Sequence, residues 1–200
     1  ALEMPVDIQP TLDTFMSAPT EVEARAALAA YPYGTFVHHD GRGSEAMLDL
    51  LLSLRRMSRD DSRLRVRAFI PDIPRDQAPS PSDVDRGMGL YLTTLARQQA
   101  DGRVLVLTGR AHARKTQAPR RSLVPAISHL PIDEVISLDF APQGGTYWAC
   151  VGANTACGPQ AFPGNPNVQD RRISLSPQPG GGFDGFLMLG RTTASGPAKP

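Results

Sequence analysis

Several absences narrow the reading before any residue is placed. No apolar run approaches the roughly 18 residues that a membrane-crossing helix requires. No signal-peptide pattern opens the sequence, as is also true of mature secreted chains. There is almost no excess of one charge: 21 Lys and Arg stand against 20 Asp and Glu. That balance gives no reason to expect nucleic acid or an anionic membrane as the main partner. Cysteine is nearly absent, with only Cys150 and Cys157, and a second pair to complete a four-ligand metal site is missing. The chain has no G-x-S-x-G, H-E-x-x-H or P-loop. A nucleophile elbow, a zincin helix and a phosphate loop are therefore unsupported.

Proline and glycine are plentiful instead. There are 19 and 18 of them in 200 residues, and they concentrate after residue 140. With 40% hydrophobic residues the chain can build a real core in one domain. Apolar residues at spacings of three and four predict helices over 7–16, from Thr20 to about Ala30, and from Ser44 through Met47, Leu50, Leu51, Leu54 and Met57. Thr20 and Glu23 form a capping-box pattern. A further helix should start at Ser82, with Val84, Met88, Tyr91, Leu92 and Leu95 on one face, and end at Asp101-Gly102. A short one is expected over 122–130. Strands are expected at LEMP, at 64–70, at 103–108 and at 134–140, with shorter ones at GGTYWAC and FLMLG.

Strands alternating with helices imply right-handed parallel units. The expected fold is thus α/β, a mainly parallel sheet flanked by helices, with residues 1–140 as its core. Residues 141–200 should form a Pro/Gly-rich strand-and-loop extension packed on the same domain.

In an open parallel sheet, ligands bind beyond the carboxyl ends of the strands. Glu3, Asp72, Arg75, Gly109, Arg110 and His112 all fall at such ends. Gly109 is expected to permit a sharp exit from the sheet. His112, with a side chain that titrates near neutrality, is the candidate base or metal ligand. A second cluster, HHDGRGSE at 38–45, places His38, His39, Asp40, Arg42 and Glu45 ahead of a helix. There Arg42 could clamp an oxyanion, and the helix-start N–H groups could bind an anion. Charge is also clustered: residues 103–121 hold five Arg and one Lys with no acid. That pattern suits a positive rim around an anionic or carbonyl ligand, or simply solvated loops. The six residues between Cys150 and Cys157 include Gly and Asn and suit a disulfide-closed loop, hence a periplasmic or secreted protein. Two reduced cysteines in a cytosolic protein are the alternative. Trp148 reads as packing for that loop.

LEMP at 2–5, DGRGSEAM at 40–47, LTGRAHA at 107–113, GGTYWAC followed by CG at 157–158, and FDGFLMLG with TAS at 193–195 occur in a suggestive order. Together they resemble a bacterial branch of the superfamily that joins erythromycin esterases, haem-binding ChaN lipoproteins and TraB/Tiki proteins. The resemblance spans nearly the whole chain. It implies an α/β fold, hydrolysis in several branches, and a pocket in which Glu3 matches the glutamate of a Leu-Glu strand end and His112 the histidine of the second motif. Arg42 falls in the DGR segment. Arg110 stands where the second motif usually has asparagine. A Gly-Glu-x-His-Gly motif expected ahead of the LEMP strand is not in the sequence, which opens at Ala1.

Two readings follow. One is a hydrolase acting on an ester or amide through His112 and a carboxylate, metal-assisted or not, with Arg42 or Arg110 holding the developing charge. Its catalytic set would be His112, Glu3 and Arg42, with Arg110, Asp40, Glu45 and His39 in binding roles. The other is a non-catalytic binding protein for haem, a divalent metal or a partner protein, with His38, His39 and Tyr33 as axial candidates. A homodimer would cover a bare sheet edge.

Overall fold

The structure is a computed structural model, and it describes residues 1–31, 42–72, 80–99, 102–119, 121–150, 157–164, 170–177 and 181–198. Elements run in the order β1 (Leu2–Pro5), α1 (Gln9–Ser17), α2 (Glu21–Ala29), α3 (Glu45–Asp60), β2 (Ala68–Ile70), α4 (Pro81–Gln98), α5 (Arg110–Ala113), β3 (Leu138–Cys150), β4 (Cys157–Phe162), β5 (Arg171–Ser174) and β6 (Gly185–Thr192). Among the described residues, 3-10 turns at Val6–Ile8, Ala126–His129 and Ile132–Glu134 join them.

The expectation of a mainly parallel sheet is overturned. Among the described residues, β1 and β2 pair as parallel strands, in a sheet of two. The larger sheet has four strands in the order β4-β3-β6-β5, and both the β3–β4 and β5–β6 pairings are antiparallel. The fold is mixed α/β. The physical reason lies in two segments. Residues 103–108 were expected as a full strand, yet they touch β1 through a single parallel bridge, Leu2 with Leu107. Leu107 N–H donates to Ala1 O at 2.9 Å and Glu3 N–H to Leu107 O at 3.1 Å. Leu105, 88% exposed, has no apolar face to cover on that side. The expected strand at 134–140 begins in a 3-10 turn and starts only at Leu138. It then runs without a break through GGTYWAC as one 13-residue strand. A strand of that length has an antiparallel hairpin partner close in sequence, and no crossover helix is required.

The chain forms two compact units, each stitched from three pieces. The first comprises Ala1–Val6, Ala68–Ala141 and Gln169–Gly190. Its core gathers Phe69 of β2, Met88 and Leu92 of α4, and Ala126 and Ile127 of the following turn. Helix α4 starts at Pro81, one residue earlier than Ser82. Ser80 caps it and Asp83 reaches back, a reciprocal box with Pro81 in the first turn. The helix expected over 122–130 is the single 3-10 turn Ala126–His129.

The second unit comprises Asp7–Arg67, Pro142–Val168 and Arg191–Pro200. Here α1 packs on α2 and α3 through Ile8, Leu12, Phe15, Ala24, Leu28, Leu48, Leu51 and Leu52, all buried. The Thr20–Glu23 capping box is present. The buried face of α3 is rotated from the expected one: Leu48, Leu51, Leu52 and Arg55 face inward, and Met57 is 56% exposed. Arg55 takes a core position because its Nε donates to Phe15 O at 3.2 Å and its Nη2 to Ala18 O. Those carbonyls end α1, where no helical N–H remains to satisfy them. Arg59 Nη2 also reaches Ala18 O, at 3.0 Å.

Candidate functional site

The first unit brings three sequence-distant acid–base groups together. Glu3 leaves the sheet on β1, Asp85 lies on the inner face of α4, and His112 sits on α5. His112 Nδ1 is 2.9 and 3.0 Å from the two oxygens of Asp85. His112 Nε2 faces Glu3 Oε1 at 3.9 Å. Asp85 is 1% exposed, whereas the His112 side chain keeps 28% of its exposure and Glu3 18%. The Nδ1 edge of the ring is therefore set against a buried carboxylate, the Nε2 edge faces Glu3, and the side chain as a whole stays part-exposed.

Local structure fixes each member. Asp85 Oδ1 also accepts the Ala126 N–H at 2.7 Å, which holds the carboxylate in one orientation. Gly89, one turn further along α4, lets the Ala126 turn lie against the helix. A Cβ there would come within 2.6 Å of Ala126 O and 2.8 Å of His129 Cβ. Glu3 Oε2 accepts the Thr108 hydroxyl at 2.6 Å and the Gly109 N–H.

Gly109 was expected to serve by conformational freedom. Its φ of −62° and ψ of 147° are open to any residue. Space decides instead: a Cβ at this exposed position would sit 3.3 Å from Glu3 Oε2 and 3.5 Å from His112 Cδ2. The glycine keeps the ground between the two side chains open.

Arg110 follows directly. Its Nε is 3.0 and 2.8 Å from the oxygens of buried Asp139, and its guanidinium carbon lies 5.7 Å from the Phe183 ring centroid. Lys115 is a structural group. Its ammonium meets Asp184 at 2.9 Å and Val135 O at 2.8 Å, tying the segments after α5 and before β6 together. Asp184 is desolvated, which pushes its pKa up. The Lys115 ammonium and the Ser137 N–H at 2.7 Å outweigh that and hold it below the ordinary aspartate value.

The other expected site residues fall elsewhere. His38, His39, Asp40, Tyr33 and Arg75 lie outside the described residues. Arg42 and Glu45 belong to the second unit. The anion site expected at the start of α3 is overturned. Glu45 N–H donates to Gly196 O at 3.0 Å, Ala46 N–H to Ser195 Oγ at 2.9 Å and Met47 N–H to Ser44 Oγ at 3.3 Å. The TAS segment caps that helix, so its first donors are taken.

Asp85 is the member that the sequence reading missed. The signal was present: an aspartate three residues before Met88 and seven before Leu92 sits on the apolar face of α4. A carboxylate there needs a buried partner. Among the described residues, no group of three or more His, Cys, Asp or Glu is arranged to hold a metal ion. Among the same residues, no helix is long and apolar enough to cross a membrane. No family model, curated protein or solved structure matches the chain.

Proposed function

We propose that this protein is a hydrolase that activates water with the Asp85–His112 pair and Glu3 to cleave an ester or amide. One observation carries the reading: the imidazole is clamped at Nδ1 by a buried carboxylate while Nε2 faces a second carboxylate at 3.9 Å. With Nδ1–H donated to Asp85, Nε2 keeps its lone pair. A separation of 3.9 Å is too long for a direct hydrogen bond. It suits one water about 2.8 Å from each group.

In the proposed reaction His112 Nε2 takes a proton from that water as its oxygen attacks the carbonyl carbon. Asp85 stabilises the imidazolium, and Arg110 meets the charge on the carbonyl oxygen. The tetrahedral intermediate collapses, the bond to the leaving oxygen or nitrogen breaks, and His112 returns its proton to that atom. Acid and alcohol, or acid and amine, are released. Glu3 orients the water. The resemblance to the esterase-containing superfamily supports the same class.

The test is hydrolysis of a panel of aryl esters and short peptides by the purified chain and by His112→Ala. The expected result is turnover that falls by about 10²–10⁴-fold in the variant, the range for losing a general base. Equal turnover in both proteins would refute the assignment.

A further inference from the structure

We propose that the substrate of this site carries an oxyanion group, which Arg110 and Arg114 bind beside His112. The inference rests on the hydrolase reading and names its substrate class. Both guanidiniums are anchored at Nε, Arg110 on Asp139 and Arg114 on Thr116 O at 3.2 Å. Both lie near the buried Phe183 ring, at 5.7 and 5.5 Å from its centroid. Gly182 makes room for this. A Cβ there would stand 2.5 Å from Arg114 Nη2, so the guanidinium lies close against the backbone.

The terminal amino groups of Arg110 and Arg114 donate no hydrogen bond among the described residues, and the Arg110 side chain is 67% exposed. Two planar cations are thus fixed at their inner ends: the terminal donors of Arg110 are exposed, and those of part-buried Arg114 lie beside Gly182. An arginine on a solvated face has its rotamers free and gains little from a loose ion pair. Here the ordering is already done by Asp139, Thr116 and Phe183, so an incoming carboxylate or phosphate meets donors in place. Among the described residues Asp139 pairs with Arg110, and no ion pair is found for Arg114. His112 lies between the two arginines in sequence, on the same short helix and its exit. A substrate held by them presents its reacting bond to the same segment.

The test compares the 4-nitrophenyl ester of butyrate with the mono-4-nitrophenyl ester of succinate in wild type, Arg110→Gln and Arg114→Gln. Wild type should favour the carboxylated ester at least tenfold in kcat/KM, and the ratio should collapse toward one in each variant. Hydrolysis of both esters at equal efficiency would overturn the proposal and leave the hydrolase reading standing. Hydrolysis of neither ester would count against the hydrolase reading. Calorimetric titration with succinate and with inorganic phosphate then decides the anion site separately. Saturable binding weakened at least tenfold in both variants supports the site, and the better ligand shows which oxyanion it fits. No binding of either overturns it.

Discussion

Asp85 holds His112 by its Nδ1 edge from inside the first unit, at 2.9 Å and with 1% of its own surface exposed. The contact fixes which ring nitrogen carries the proton. Asp85→Asn keeps an oxygen for the Ala126 N–H but turns an amide N–H toward Nδ1. An amide N–H aimed at Nδ1 favours protonation at Nε2, the wrong tautomer for a base. The expected outcome is a loss of about 10²–10⁴ in kcat. Nitrogen-15 spectra should show the His112 proton moving from Nδ1 to Nε2. An unchanged tautomer would show that Asp85 does not orient the ring.

Asp184 makes part of the stability pH-dependent. Its folded pKa lies below its ordinary value because Lys115 and the Ser137 N–H overcome burial. A depressed carboxylate stabilises the fold above its unfolded pKa, about 3.9, and loses that contribution as pH falls through the folded value. Asp184→Asn should therefore cost on the order of 1–2 kcal/mol at pH 7. The gap to wild type should close between about pH 4 and the lower folded value. Urea midpoints measured across that range check it, and a gap that stays constant with pH contradicts the ion-pair account.

Arg55 should be the costliest arginine to truncate in the second unit. Arg55→Ala strips the partner from Phe15 O at the end of α1 and one of the two from Ala18 O, which Arg59 still reaches. Buried acceptors left bare cost about 1–3 kcal/mol each. A loss of roughly 1–3 kcal/mol in denaturant unfolding is expected. Arg63→Ala, an exposed pair with Asp61, should stay within about 0.5 kcal/mol of wild type.

Cys150 and Cys157 are direct Cα partners in the β3–β4 register. Opposed residues of an antiparallel pair sit about 4.5–5.5 Å apart at Cα, inside the range a disulfide accepts. Intact mass under non-reducing conditions should show two hydrogens fewer than after reduction and should give no thiol labelling. Two alkylated cysteines without reductant would remove the oxidising-compartment expectation.

Much of the local structure was legible because it is written in short patterns. Thr20 with Glu23 and the apolar spacing of α1 and α4 need only near neighbours. The sheet was not legible. The apolar run at Arg103–Thr108 marks an extended chain, but whether it pairs depends on partners distant in sequence, and only Leu107 finds one in a ladder. The α3 face was misread because Arg55, polar by type, is an inward residue when carbonyls await it. Glu3 and His112 stood out as polar groups at the ends of extended segments. Asp85 was hidden inside a helix, where its meaning depends on a histidine 27 residues away.

The stitching of the two units has a kinetic consequence. The chain passes between them at Val6–Asp7, Arg67–Ala68, Ala141–Pro142, Val168–Gln169 and Gly190–Arg191. No single cut releases either as a continuous segment. Glu3 meets Thr108 across 105 positions of sequence, so the acid–base cluster closes only after a large loop has closed. Loop closure over such separations slows folding. Activity should therefore be the last property regained on refolding from denaturant, after the helices have formed. A chain nicked between β2 and α4 should keep its site only while the fragments stay associated.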